Sequence, residues 1–214
     1  MTAPGSFGVL VERSAYRRFL TRFTPSLGEE QSALLYRAFT RDVTLATACV
    51  AGARVTIFSA APVANRAEFA AAAPPGVRLL LLEENVRFSI DALDVLLNAE
   101  AGPTVMVDPL TPTITPETLS KALQLLNQMH AGLVIGPARD GSCCLLGVTP
   151  DWRFLVDGID WRAPGASAVI QDRASGSGAI VTVLPTLDKI TGIDDLHVLS
   201  AALHRDPALL APAT

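Results

Sequence analysis

The sequence contains no run of lysine and arginine, and its acidic residues outnumber its basic ones, 21 to 17. A formal net charge of −4 and a pI of about 5.3 provide no positive surface for nucleic acid or an anionic membrane. No apolar stretch approaches the roughly 18 residues that a membrane span requires, and residues 1–8 lack the charged and apolar regions of a secretory signal. We therefore expect a cytoplasmic protein that binds neither nucleic acid nor membrane.

Cysteine is also scarce, and its positions exclude two kinds of site. Cys143 and Cys144 are adjacent while Cys49 is distant, so the chain has neither a C-x-x-C metal spacing nor an even disulfide set. No linker rich in proline, glycine or serine divides the 214 residues, half of which are hydrophobic. We expect one domain over 1–214, with a core from about 7 to 204, in a reducing compartment.

What the sequence does contain is an alternation of short apolar runs with segments of helical spacing. Strands are predicted at 7–11, 55–59, 77–82, 104–107, 133–135, 143–148 and 179–184. Helices are predicted at 26–50, 65–72, 89–99, 115–130, 164–172 and 193–204, the fourth with Thr115 as its N-cap. The strands at 133–135 and 143–148 suggest a hairpin or a paired edge. The pattern predicts a three-layer α/β/α fold with a mostly parallel sheet, whose ligands bind beyond the carboxyl ends of the strands.

Three segments carry the pattern of a known family. Residues 21–28 and 35–39 are similar to the first helix region of GT-A-like glycosyltransferases of the radical-SAM-associated type. Residues 136–147 resemble the GPAxDGGYYLIG segment of that family, and residues 161–163 lie where it has Trp-Ser-Thr. The resemblance implies the nucleotide-diphospho-sugar transferase fold, shared with phospholactate guanylyltransferases. It also implies that a nucleoside triphosphate or nucleotide sugar binds through a divalent metal ion.

The chain departs from this family where its members hold the metal ion. The family's Asp-Ser-Pro appears as Leu110-Thr111-Pro112, and Asp108, two residues earlier, could replace the lost acid only if the loop shifts. The family's Asp-Val-Asp-Thr appears at 189–192, where Thr191 replaces the expected ligand and Lys189 adds a positive charge. Because a hard cation requires oxygen ligands, we expect no bound metal, and Mg²⁺ or Mn²⁺ only if the protein is active.

The phosphate-binding loop of the family is also changed. Its Lys-Ala-Pro-x-Pro-Gly-x-Val-Lys stretch appears at 12–20 without the lysines or the glycine, and a Gly-rich segment appears as 83–86, Glu-Glu-Asn-Val. The predicted loop instead contains four arginines, Arg13, Arg17, Arg18 and Arg22. Because arginine binds phosphate in a bidentate way, Arg17, Arg18 and Arg22 are candidate nucleotide-binding residues. Alternatively, this is a solvated loop whose arginines pair with Glu29 and Glu30.

Two aspartates complete the set of candidates. By resemblance, Asp140 is the catalytic candidate that orients an acceptor, although an Asp-Gly step is also a strong hairpin signal. Asp108 is a candidate nucleotide contact, but Asp-Pro commonly opens a turn, which we favour. The adjacent cysteines place at most one thiol inward, and three histidines near helix ends form no evident pair with a nucleophile.

Three hypotheses about function follow. The first is a catalytically degenerate family member that acts through binding a nucleotide or nucleotide sugar, or through a protein partner. The second is an active glycosyltransferase or nucleotidyltransferase that uses relocated metal ligands, Asp108, Asp140 or Asp188. The third is a homodimeric structural module.

Overall fold

The computed structural model describes residues 5–60, 73–82, 88–100, 102–128 and 132–206. Within these ranges the strands are β1 Ser6–Val11, β2 Arg54–Ala60, β3 Arg78–Leu82, β4 Thr104–Val107, β5 Leu133–Pro137, β6 Cys143–Val148 and β7 Val181–Val183. The helices are α1 Arg13–Leu27, α2 Glu29–Ala48, α3 Phe88–Glu100, α4 Pro116–Gln128, α5 Ala166–Ser175 and α6 Ile193–Arg205, with a 3₁₀ helix at Pro150–Val156. The predicted helix at 65–72 and the segment 83–86 lie outside the described residues.

One seven-stranded sheet has the order β3-β2-β1-β4-β6-β5-β7. β6 runs antiparallel to β4 and β5, and the other neighbouring strands are parallel. The predicted mostly parallel sheet is therefore confirmed. The predicted hairpin of β5 and β6 is also present, but β6 lies inside the sheet rather than at its edge.

Helices cover both faces of the sheet. α2 contacts β1, β2 and α4, whereas α3 contacts β1, β3 and β4. A Cβ on Gly5 would meet Leu123 of α4, and one on Gly8 would lie 2.9 Å from Leu96 of α3, so the two helices pack on opposite faces. Every residue of β1 and β6 is consequently buried. No helix among the described residues is long and apolar enough to cross a membrane.

Both thiols of the cysteine pair lie in this interior. Cys143 and Cys144 are fully buried on β6, because that strand is buried along its whole length. The expectation that at most one of them points inward was therefore wrong. Burial is the largest cause that raises the pKa of each thiol, to about 12. Both are neutral at physiological pH, as inert core residues should be.

Helix α1 corrects the largest local error of the sequence interpretation. Residues 13–27 form a helix rather than the predicted loop, so Arg17, Arg18 and Arg22 are helical residues. The physical reason is apolar packing: Phe19 and Phe23, one helical turn apart, are buried with ring centroids 4.2 Å apart. α1 ends where Gly28 adopts a φ of 82°, and α2 begins at the next residue.

Candidate functional site

The carboxyl ends of the parallel strands bring distant segments together. Asp108 follows β4, and Asp140 lies in the turn after β5. The chain after β7 crosses the same edge and is fixed there by two backbone bonds: Leu187 donates to the Pro137 carbonyl and Ile190 to the Leu110 carbonyl, both at 2.8 Å. Lys189, between these two anchored residues, is thereby held between the ends of β4 and β5.

Lys189 and Asp108 form an ion pair in the interior of this edge. Lys189 Nζ lies 3.1 Å from Asp108 Oδ2, with only 10% and 5% of the two side chains exposed. The other oxygen of Asp108, Oδ1, accepts a hydrogen bond from the Leu110 amide at 3.0 Å. The favoured turn interpretation of Asp108 therefore accounts for one oxygen, and Lys189 engages the other.

The same ammonium group connects to the second aspartate through a serine. Lys189 Nζ donates to Ser142 Oγ at 3.1 Å, and Ser142 donates from its hydroxyl and its amide to Asp140 Oδ1, at 2.6 and 2.9 Å. Burial by itself would raise the pKa of Asp140, but the Ser142 hydrogen bonds and the Lys189 charge outweigh it, so the pKa is below its ordinary value. Asp140 is therefore ionised at neutral pH.

Gly141 gives the turn that carries Asp140 its shape. Its φ is 76°, and a Cβ there would lie 3.1 Å from the backbone of Gly165. The Gly141 amide donates to the Ala138 carbonyl at 3.0 Å, and the Gly141 carbonyl accepts from Ser167 at 2.9 Å. The Asp-Gly turn signal is thus confirmed, and this turn is packed against the start of α5.

A cavity of about 360 Å³ opens above this network. It is lined by Ala15, Arg18, Phe19, Arg22, Asp108, Leu110, Asp140, Asp160, Arg162, Ala163, Pro164, Lys189 and Thr191. Arg18 and Arg22 are one helical turn apart on α1 and so reach it from the same face. Arg22 Nη1 donates to the Thr191 carbonyl at 3.1 Å, whereas Arg18 makes no hydrogen bond or ion pair with any described residue.

The structure therefore brings together four of the five predicted site residues. Arg18, Arg22, Asp108 and Asp140 all line the cavity, whereas Arg17 is exposed elsewhere on α1 and does not. The sequence interpretation missed Ser142 and the pairing of the Arg162 guanidinium with Glu12. No local motif marks these contacts. The one available signal was Lys189, a cation at the position where the resemblance places an acid.

The side chains at this edge do not fit a divalent metal ion well. Within the described part of the chain, no group of three or more His, Cys, Asp or Glu side chains could hold one. Thr191, where the resemblance places a ligand, donates from its amide and hydroxyl to Asp195 Oδ2, at 2.8 and 2.9 Å. Asp195 thus stabilises the start of α6, and both oxygens of Asp108 are already engaged.

Comparisons with known proteins identify the architecture. A model for uncharacterized proteins conserved in bacteria, DUF2064, matches residues 44–163. A crystal structure from Desulfovibrio desulfuricans G20, provisionally described as a nucleotide-diphospho-sugar transferase, superposes with a TM-score of 0.80 at 22% identity, over 94% of this chain and 88% of that one. The chain therefore has the nucleotide-diphospho-sugar transferase fold.

Two further structures share the fold at lower similarity. Rv0371c from Mycobacterium tuberculosis H37Rv, in complex with manganese, superposes with a TM-score of 0.56 at 14% identity, over 93% of this chain and 98% of that one. CMP:2-keto-3-deoxy-manno-octonic acid synthetase, complexed with CTP, gives 0.58 at 10% identity, over 95% and 100%. No curated protein sequence matches the chain.

Proposed function

The chain belongs to the bacterial family DUF2064, and from this premise we propose that it is a divergent, catalytically degenerate member that binds a nucleotide or nucleotide sugar without a divalent metal ion. The finer assignment, to transferases of the radical-SAM-associated type, is part of this proposal. The structure of similar fold that is complexed with CTP supports the ligand class, and the one in complex with manganese shows that this fold can hold a metal ion. They leave open whether this chain uses a metal, which its own side chains must decide.

The ion pair of Lys189 with Asp108 is the observation on which the proposal depends. An ammonium group and a divalent ion about 4 Å apart repel each other by about 8 kcal/mol at an effective dielectric constant of 20. Displacing Lys189 to admit the ion would instead break its ion pair with Asp108 and its hydrogen bond to Ser142. Either route opposes metal binding at Asp108, so the lysine itself neutralises the acid that a metal would otherwise engage.

The arginines supply the attraction for phosphate in this proposal. Arg18 and Arg22 project into the cavity from one face of α1, and each guanidinium matches two phosphate oxygens. Arg17 remains a predicted contributor from a neighbouring position of the helix. In this proposal Asp108 holds Lys189 in place, and Asp140 is the residue to which the resemblance assigns the orientation of an acceptor.

An active transferase with relocated ligands is the competing hypothesis. It needs oxygens of Asp108, Asp140 or Asp188 to converge on one ion. Asp108 and Asp140 are instead linked through Lys189 and Ser142, and Asp188 pairs with Arg139 at 3.3 Å on the exposed surface. These contacts favour the degenerate member, which acts by binding its ligand or a protein partner.

Titration calorimetry separates the two hypotheses. Nucleoside triphosphates and nucleotide sugars with each of the common bases are titrated into the protein, once in EDTA and once in Mn²⁺. We expect one or more ligands to bind with the same affinity in both conditions. Affinity that rises tenfold or more with Mn²⁺ would show that a metal ion takes part and would remove the proposal.

A further inference from the structure

A second cavity, of about 350 Å³, adjoins the first. The two share Asp140, Lys189 and Thr191, so these residues form the boundary between them. The second cavity has a different character, because aliphatic side chains make up much of its lining. They are Ala138, Leu187, Ile190, Val198, Leu199 and Ala202.

Several polar groups that line the second cavity are engaged in hydrogen bonds or ion pairs. The Leu187 amide donates to the carbonyl of Pro137 at the end of β5, and the Ile190 amide donates to the carbonyl of Leu110, beyond β4. Asp195 accepts from the Thr191 amide and hydroxyl, and Arg139 pairs with Asp188. What remains toward the cavity is mainly hydrocarbon, including Val198, a large apolar side chain that is 61% exposed.

We infer that the nucleotide ligand of the proposed function also carries an aliphatic or otherwise apolar substituent. Its phosphate group binds beside Arg18 and Arg22 in the first cavity, and its apolar part passes Lys189 into the second. This inference rests on the proposed metal-independent phosphate site, and it adds the chemical class of the substituent. Exposed apolar surface next to the cavity that Arg18 and Arg22 line gains free energy when a ligand covers it, so a single ligand with both groups can occupy the two cavities together.

A pair of alkyl phosphates provides a direct test. Ethyl phosphate and n-octyl phosphate carry the same head group, and both are titrated in EDTA below the micellar concentration, with binding followed by calorimetry and NMR shifts. Each buried methylene strengthens binding about fourfold, so a few methylenes in the second cavity suffice for a large effect. We expect octyl phosphate to bind at least tenfold more tightly than ethyl phosphate.

Three variants locate the two parts of the ligand. Val198→Asp places a charge in the second cavity at an exposed position of α6, and we expect it to remove the octyl preference. Val169→Asp is the matched control, because Val169 is 51% exposed on α5 and lines neither cavity. Arg22→Gln should lower the affinity for both alkyl phosphates by a similar factor and leave the ratio of the two affinities unchanged.

The outcomes separate this inference from the proposed function. Equal affinity for the two phosphates, in a protein that binds nucleotides in EDTA, would overturn the inference alone. If Val198→Asp still bound octyl phosphate more tightly than ethyl phosphate, the octyl group would lie outside the second cavity, and the inference would also be overturned. A protein that binds no phosphate compound in EDTA, but does so in Mn²⁺, would overturn the proposed function as well.

Discussion

Lys189 Nζ lies 3.1 Å from Asp108 Oδ2, and the two side chains are almost completely withdrawn from solvent. Removing one partner of such a pair strongly lowers the stability of the fold, because the remaining charge stays buried without compensation. The exposed pair of Arg139 with Asp188, at 3.3 Å, offers a natural comparison, since solvent screens it. The two pairs should therefore differ sharply in their effects on stability.

Replacement of Lys189 should strongly destabilise the fold. We expect Lys189→Met to lower the free energy of unfolding by about 3–5 kcal/mol, and Arg139→Gln by less than about 1 kcal/mol. The double variant Lys189→Met/Asp108→Asn should lose less than the sum of its two single variants, since no buried charge remains. Urea unfolding at equilibrium measures the free energy of unfolding of the unaltered protein and of the four variants. If the double variant lost as much stability as the two single variants together, Lys189 and Asp108 would not interact as an ion pair.

A charge reversal at the same position should create a metal site. Lys189→Asp puts a second carboxylate beside Asp108 and removes the repelling ammonium, so Mn²⁺ should bind and stabilise the folded state. At about one hundred times the dissociation constant the gain is about 2.7 kcal/mol, or about 5–10 °C in Tm for a chain of this size. Lys189→Asn removes the lysine without adding a negative charge, so Mn²⁺ should stabilise this variant less than it stabilises Lys189→Asp. Equal stabilisation of the unaltered protein by Mn²⁺ would argue against the role of Lys189.

Loss of either cavity-lining arginine should weaken nucleotide binding. Arg18→Gln and Arg22→Gln each remove a charged hydrogen-bond donor, which contributes about 1.5–3 kcal/mol to binding a phosphate. Arg41→Gln, an exposed arginine on α2 that lines neither cavity, is the matched control. Calorimetry in EDTA gives the affinities, and Arg17→Gln tests the predicted contribution of the remaining arginine. Undiminished affinity in both cavity variants would place the phosphate elsewhere.

The depressed pKa of Asp140 depends on Ser142, and this dependence can be measured. Because the pKa is lowered in the folded state, Asp140 stabilises the fold above the ordinary aspartate pKa of about 3.9, and this contribution is lost as pH falls through the lowered value. Ser142→Ala removes the hydroxyl donor and should raise the pKa of Asp140, as followed by NMR titration of its carboxyl carbon. Ser167→Ala, a buried serine on α5, should leave it unchanged.

Thiol reactivity should distinguish the three cysteines. Burial raises the pKa of Cys143 and Cys144 to about 12, so that at pH 8 the thiolate fraction of each is about one in ten thousand. Cys49 is exposed. We expect Ellman's reagent to modify one thiol per native chain at pH 8 and all three after unfolding in denaturant. Rapid reaction of two or three thiols in the native protein would show that β6 is accessible.

Local patterns in the sequence account for much of the fold and for several details of the site. Thr115 accepts a hydrogen bond from the Thr118 amide at 3.2 Å, and α4 begins at Pro116, as its capping pattern predicts. The Asp140-Gly141 turn between β5 and β6 follows from its residues in the same way. Each of these features depends on neighbours within a few positions, and such interactions can be recognised in the sequence.

Helix α1 shows where local reasoning failed. The resemblance placed a phosphate-binding loop at 12–20, but without its glycine and lysines this stretch packs Phe19 against Phe23 and Tyr36 and becomes helical. The arginine cluster was recognised in the sequence, whereas the helical turn that places Arg18 and Arg22 in the cavity and Arg17 outside it was not. Side-chain direction depends on the local backbone, so an incorrect element changes which residues meet.

The sequence by itself determined the alternation of strands and helices and the class of the sheet, because periodicity and residue type are properties of short segments. Only the tertiary structure decided that Lys189 neutralises Asp108 and contacts the serine that holds Asp140. These contacts join the ends of β4, β5 and β7, which meet because parallel strands share one edge of a sheet. No spacing along the chain specifies that distance, which arises only when the core between the strands and their helices is packed.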